Sequence, residues 1–271
     1  MIPVRPILRW AGSKKQLLKE LSNFWPGEPT RYIEPFAGSA CLFFHLLPSE
    51  AILGDLNSDL IAMYRNIRFD VDRVLECLRR LPTGKRSYYR IRAVSPRSLT
   101  EPERAARFIY LNKYCFNGLY RTNLDGVFNV PFGDTKGRDS IDELAIRNAA
   151  RVLHNIHLIA GDFQRTLSLA RPGDFVYLDP PYSVSHRRSF AEYQPAVFDD
   201  SELRRLNDSL EDLDSRNISF LVSYAESAEA RILTSRWRWR TVSIRRSIAG
   251  FASHRSSINE ILASNIGREL G

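Results

Sequence analysis

Arg31-Tyr32-Ile33-Glu34-Pro35-Phe36-Ala37-Gly38-Ser39-Ala40 is the stretch on which the fold turns. Its first residues read as a short strand, and Pro35 to Ala40 as a loop of mostly small residues. The apolar run that follows, to Leu47, reads as a helix. Ala51-Ile52-Leu53-Gly54-Asp55 then reads as a short buried strand. Strand, glycine-containing loop, helix and strand make a βαβ unit.

Moving outward, the character changes over residues 58–144, which are Arg-rich and mostly helical in pattern. The spacing predicts one helix over 60–81, stopped by Pro82 and Gly84, and another over 103–113 that starts near Glu101-Pro102. Residues 116–123 and 127–130 look strand-like and flank Leu124-Asp125-Gly126, a strong hairpin signal. The α/β pattern then returns. Helices are expected over 142–153, before Asp174 and over 202–214. Strands are expected over 157–160, 174–178, 218–224, 237–244 and 257–264. The simplest architecture is an α/β, doubly wound, mostly parallel sheet with helices on both faces. Residues 1–57 and 145–271 would form it, with residues 58–144 inserted after the second strand.

The 271 residues carry a net charge of +8 with ordinary hydrophobic (44%) and charged (26%) content, so a folded protein facing a polyanion is expected. The charge is concentrated. Residues 84–121 hold nine Lys/Arg against two acids, and residues 231–255 hold seven Arg and no acid, as contact surfaces for phosphates would. Solvated basic faces are the bland alternative. Cys41, Cys77 and Cys115 have neither metal nor redox spacing, and their odd count argues against a disulfide framework. The first 18 residues show no cleavable signal pattern, and no apolar run approaches the roughly 20 residues of a membrane span, so a cytoplasmic location is expected.

The sharpest chemical motif is Asp179-Pro180-Pro181-Tyr182, directly after the strand ending at Leu178. Loops at carboxyl ends of parallel strands form ligand sites. An Asp carboxylate and the carbonyl of the following proline can accept both hydrogens of one amino group, and the aromatic can stack on the ring that bears it. A rigid Pro-Pro turn with a packing tyrosine is the alternative. At Glu34 to Ala40 the small residues let a ligand approach the backbone, and Asp55 stands 21 positions after Glu34, where an acid commonly takes ribose hydroxyls. A glycine needed only for helix packing is the alternative there. In Leu8-Arg9-Trp10-Ala11-Gly12-Ser13-Lys14, a cation and an indole flank a flexible turn. Pro82-Thr83-Gly84-Lys85 lacks phosphate-loop spacing and reads as a turn.

Taken together, Trp10 to Lys14, Glu34 to Gly38, residues 55–60, 116–121, 128–133 and 161–163, Asp179 to Tyr182 and residues 245–248 resemble the DNA adenine methylase family, in family order over nearly the whole chain. The resemblance implies a Rossmann-like methyltransferase that moves a methyl group from S-adenosylmethionine to N6 of an adenine extruded from double-stranded DNA, within GATC, leaving S-adenosylhomocysteine. It implies that Trp10, Ala11, Lys14, Glu34, Phe36, Gly38, Asp55, Asp162, Phe163 and Asp179 surround the cofactor. Asp179 and Pro180 would hold the amine, with Tyr182 stacked on the base. Arg9, Phe116, Asn117, Leu119, Arg121, Asn129, Pro131, Arg245 and Arg246 would face DNA, Phe116 as a wedge and Arg121 at a guanine edge. A phosphate contact is the alternative for Arg121. No metal is implied. A monomer near the nucleoid is expected, working beside a cognate restriction endonuclease or alone. Ala40 and Ser13 replace usual glycines, Asp125 puts an acid at the hairpin tip, and residues 250–255 differ from the family. Rival readings are an N4-cytosine or glutamine methyltransferase and a decayed DNA-binding relative. Asp179 weighs against glutamine and the hairpin against cytosine.

Overall fold

The computed structural model describes residues 4–28, 30–123, 125–133, 141–181, 198–245 and 257–267. Seven strands form one sheet: β1 (Tyr32–Glu34), β2 (Ala51–Asp55), β3 (His157–Ala160), β4 (Phe175–Leu178), β5 (Ser219–Ala225), β6 (Arg238–Arg245) and β7 (Ser257–Ser264), in the order β3-β2-β1-β4-β5-β7-β6. β1 pairs in parallel with β2 and β4, β2 with β3, and β4 with β5, while β7 lies antiparallel between β5 and β6. The expected mostly parallel α/β sheet is therefore present. Strand order reverses between β1 and β4, so their carboxyl ends open the crevice where ligands bind in such sheets.

Period-two alternation explains how the sheet is covered on both faces. Tyr32, Leu53, Phe175, Tyr177, Leu221 and Leu262 enter one apolar cluster, and their neighbours Ile33, Ile52, Val176, Phe220, Val222 and Ile261 enter the other. The second cluster is closed by α8 (Phe163–Leu167), α9 (Asp200–Ser215) and α10 (Ala228–Thr234). The first takes α1 (Leu18–Ser22), α2 (Cys41–Leu46), α3 (Ser58–Phe69) and α7 (Glu143–Leu153), and runs on without interruption into α4 (Val71–Arg79), α5 (Lys85–Ala93) and α6 (Glu101–Tyr114). α3 packs on β2 and β3 as well as on α6, so the helices after residue 58 share their core with the sheet.

Two expectations change. The single helix over 60–81 is two, because Asp70 leaves the helical region (φ −150°, ψ 77°) and its carboxylate accepts from Arg73 N at 2.9 Å as the cap of α4. The hairpin is an antiparallel loop with isolated bridges, Cys115 to Phe132 and Thr122 to Phe128, instead of two regular strands. A 3-10 turn, Phe116–Gly118, interrupts its first arm, with Asn117 (φ 53°) and Gly118 (φ 66°) both left-handed. Among the described residues, no helix is long and apolar enough to cross a membrane.

Candidate active site

A cleft of about 1170 Å³ opens at the carboxyl ends of β1, β2 and β4 and takes in Trp10 to Lys14, Glu34 to Ser39, Asp55 to Asp59, Tyr120 to Thr122, Asp162, Phe163 and Asp179 to Pro181. The separate motifs of the sequence thus meet in one place. Those at Glu34, Asp55, Asp162 and Asp179 meet there because they end or follow parallel strands, while the N-terminal loop and the loop carrying Tyr120 to Thr122 reach the cleft from outside the sheet.

The β1–α2 loop is held by side chains around it. Gly38 N donates to Asp55 Oδ2 (2.9 Å) and Asn57 N to Asp55 Oδ1 (2.8 Å), while the Tyr64 hydroxyl donates to Gly38 O (3.0 Å). Burial pushes the Asp55 carboxyl above its ordinary range, and these two backbone donors pull it back. A carboxylate has about four acceptor positions, so two such bonds leave capacity for a ligand's hydroxyls. Gly38 is left-handed (φ 48°), and a Cβ there would stand 2.7 Å from the Trp10 indole. Trp10 in turn stacks on Tyr120, with ring centroids 5.7 Å apart. Ala40, which replaces the usual glycine, is also left-handed (φ 49°) at the start of α2, a conformation that costs a residue with a Cβ about 1–2 kcal/mol.

At the far end of the cleft Phe36 stacks on Phe163 at 5.3 Å, with Phe198 edge-on to Phe36. Asp162 caps α8 through Gln164 N (2.9 Å), and Arg205 of α9 reaches Asp162 Oδ1 (2.8 Å) while its guanidinium lies 5.1 Å from the Phe163 ring centre. This is an aromatic wall with a carboxylate at its edge, against which a planar ring could lie.

The corner beyond β4 holds the charges. Lys14 Nζ donates to Asp179 Oδ1 (2.6 Å) and to Gly12 O (3.1 Å), and lies 3.6 Å from Glu260 Oε2 on β7. Ser223 of β5 donates to the same Asp179 Oδ1 (3.2 Å) and shares a hydrogen bond with the Tyr177 hydroxyl (2.9 Å). Both donors fall on one carboxylate oxygen. Burial raises the Asp179 carboxyl above its usual range, with Lys14 and Ser223 opposing. Glu34, bonded to the Tyr32 hydroxyl (3.0 Å), is driven well up by burial, and Asp179 and Asp55 add to the rise.

On the outer side, Arg121 lines the cleft and its Nε donates to Asn129 Oδ1 (2.8 Å), so these two expected DNA residues pair with each other. The Arg9 backbone is clamped by the Asn112 side chain at N (2.9 Å) and O (2.7 Å), and a Cβ on Gly118 would stand 2.4 Å from Arg9 Cβ. Phe116 (48% exposed) and Leu119 (37%) protrude on either side of that turn, and Pro131 is exposed. α5 supports the loop from beneath: Tyr88 donates to Val130 O, and Arg92 to Asn129 O and Val130 O. Tyr182 and Arg246 lie outside the described residues, and Arg245 ends β6.

The basic stretches are less open than their sequence suggests. Arg107 is buried and bonds to Ile91 O and Arg92 O, and Arg104 pairs with Glu101 and Asp59. Arg231 pairs with Glu226, Arg236 with Glu211 and Arg240 with Glu20. Sequence reasoning missed Ser223, Glu260, Tyr120 and Arg205, which enter the site through tertiary contacts.

A family model for D12 class N6 adenine-specific DNA methyltransferase matches residues 10–248. The Type II methyltransferase M1.LlaDCHI of Lactococcus lactis subsp. cremoris is 34% identical over 98% of this chain and 97% of its own. The Type II methyltransferase M.MjaIII of Methanocaldococcus jannaschii is 35% identical over 81% and 84%. The DNA adenine methylase of Escherichia coli (strain K12) is 32% identical over 96% and 94%. With a doubly wound sheet, a ligand cleft at its switch point and a match over most of its length, the chain belongs to the D12 class of N6 adenine-specific DNA methyltransferases.

Proposed function

We propose that the enzyme uses S-adenosylmethionine to methylate N6 of an adenine flipped out of duplex DNA, within GATC. The observation that carries this reading is Asp179 at the end of β4, held on one oxygen by Lys14 and Ser223 in the same cleft as Gly38 and Asp55. The cleft suits a cationic nucleoside. In a chain of net charge +8, it is lined by the carboxylates of Asp55, Asp162 and Asp179. Asp55 would take the ribose, and Phe36, Phe163 and Asp162 the adenine. Trp10, Ala11 and Lys14 would border the amino-acid end. When bound, the sulfonium supplies an electrophilic methyl for direct transfer, with no covalent enzyme intermediate.

The remaining steps belong to the chain's own groups. Asp179 and the Pro180 carbonyl would accept the two amine hydrogens, fixing the nitrogen and enriching its electron density. Tyr182 would stack on the extruded base. Residues 58–144 would read the target, with Phe116 wedged into the stack, Asn117 and Leu119 near the vacated position, Arg121 and Arg9 on base edges, and Asn129, Pro131, Arg245 and Arg246 alongside. GATC rests on the family resemblance, and the similarity to enzymes named DNA adenine methylase supports DNA adenine as the target. Tritium transfer from labelled cofactor into defined duplexes, followed by nucleoside analysis, tests the reading. Label is expected in adenine of GATC duplexes, and Asp179→Ala should abolish it while leaving DNA binding largely intact. Label in cytosine or in protein, or wild-type product from that variant, overturns it.

A further inference from the structure

We propose that Glu260 is a positioning residue for methyl transfer, acting through Lys14 on Asp179. The inference rests on the reading of Asp179 given above. β7 enters the sheet between β5 and β6 and runs against β5, so its beginning lies at the edge where β4 and β5 end. Glu260 is in register with Ala225, the last residue of β5, and with Val242 of β6. It thus carries a carboxylate into the active corner from the antiparallel flank of the sheet, while Ile261 beside it joins the apolar cluster of the opposite face.

The Lys14 and Glu260 side chains are each 3% exposed, and Asp179 19%. A buried ammonium needs counter-charge, and here two carboxylates lie within reach of the same Nζ. If Lys14 met Asp179 alone, the ammonium would neutralise most of the charge that Asp179 offers to an amine. Glu260 divides the field of the ammonium. Together with the Gly12 carbonyl it also anchors Nζ so that the contact falls on Asp179 Oδ1, the oxygen that Ser223 already engages. The amine's acceptor then keeps both its orientation and its negative character. Glu260 touches neither reactant, which separates it from Asp179.

The test compares Glu260→Gln, Glu260→Asp and Asp179→Asn in full-length enzyme, with steady-state kinetics on a GATC duplex and S-adenosylmethionine. Glu260→Gln should lower kcat by about tenfold or more while both KM values stay within about threefold, and Glu260→Asp should fall between it and wild type. A denaturation cycle of Lys14→Met, Glu260→Gln and the double variant should show coupling in folding stability between the two sites, a readout independent of turnover. Wild-type kcat in Glu260→Gln, a cofactor KM that rises as much as kcat falls, or absence of coupling overturns the proposal. If Gln at 260 prevents folding, Glu260→Asp decides alone: lowered kcat at unchanged KM supports it, and wild-type kcat overturns it. Asp179→Asn separates the two readings. Full turnover there removes the role of Asp179 itself, whereas a dead Asp179→Asn beside a wild-type Glu260→Gln removes only the role of Glu260.

Discussion

Lys14 Nζ lies 2.6 Å from Asp179 Oδ1, a bond between the N-terminal loop and the end of β4 that spans 165 positions of chain. It joins the first and the last of the sequence motifs that line the cleft. Burial is the largest influence on the Asp179 carboxyl and raises it, and Lys14 is the largest opposing one, followed by Ser223. Glu34, Tyr177 and Cys41 also lie near enough for their own ionisation to be raised by the Asp179 charge. On the proposed role of Asp179, its carboxylate must be ionised, so activity should fall as pH drops through the raised value. Lys14→Met removes the opposing cation and lifts that value further. The acid limb of the kcat profile should therefore move to higher pH, with turnover on that limb below wild type at the same pH. An unmoved limb in this variant would mean that Asp179 does not titrate in the step that limits turnover.

Gly38→Ala should weaken the cofactor site and the fold together. The residue is left-handed, and a Cβ would stand 2.7 Å from Trp10 Cδ1 and Nε1. The indole is backed by Tyr120 and Phe108, so it cannot yield without disturbing two further rings. Overpacking of this kind costs about 1–3 kcal/mol. Calorimetric titration with S-adenosylhomocysteine should show affinity reduced by about tenfold or more, alongside a lower Tm. A destabilised variant with unchanged affinity would separate the Trp10–Gly38 contact from ligand binding.

Glu34 gives a pH signature in stability. Its carboxyl is raised well above the ordinary range, chiefly by burial, with the Tyr32 hydroxyl opposing and Asp179 and Asp55 adding. The folded chain therefore holds a proton there that the unfolded chain has released. The stability linked to this group is greatest below the ordinary glutamate range and declines as pH rises toward the elevated folded value. Glu34→Gln keeps a neutral side chain at every pH. In thermal unfolding without cofactor it should melt near wild type in acid and higher than wild type at pH 8, by roughly 2–4 °C for each kcal/mol relieved. A Tm difference of equal size at both pH values would show that the carboxyl does not titrate across this range.

The sheet was legible because its strands are short apolar runs bounded by turn residues, as in Phe175 to Leu178 and His157 to Ala160. The break between α3 and α4 was not. Asp70 falls where helical spacing tolerates a polar residue, and its role as a cap depends on a backbone conformation that spacing cannot express. Phe69, 90% exposed at the end of α3, shows that the apolar stripe had already failed there. In the site, Asp179, Asp55 and Gly38 were legible because each belongs to a local motif. Ser223 and Arg205 were not, since an ordinary serine in a strand and an arginine on a helix face acquire meaning only through what packs against them. Glu260 left a trace: an acid inside Ile258-Asn259-Glu260-Ile261-Leu262 asks for a polar or charged partner if it is buried, and sequence alone does not say which. The basic runs misled in the other direction, because charge counted along a chain ignores acids brought in from elsewhere, as Glu20 is to Arg240.

Arg121 and Asn129 face each other across the loop, Nε to Oδ1 at 2.8 Å, and that pair fixes where the guanidinium sits in the cleft. One of the five guanidinium donors is spent on holding the side chain at the cleft. An arginine fixed in this way loses less conformational freedom on meeting a base edge than one on a mobile arm. Arg121→Ala should therefore cost about 1–3 kcal/mol of discrimination at one base pair of the target, read as kcat/KM on duplexes altered singly at each position. Asn129→Ala should give a smaller loss at the same base pair, because it frees the arginine without removing it. If Arg121→Ala instead weakens every duplex equally and flattens the dependence of binding on salt, the side chain contacts a phosphate, and base reading passes to other residues of the loop.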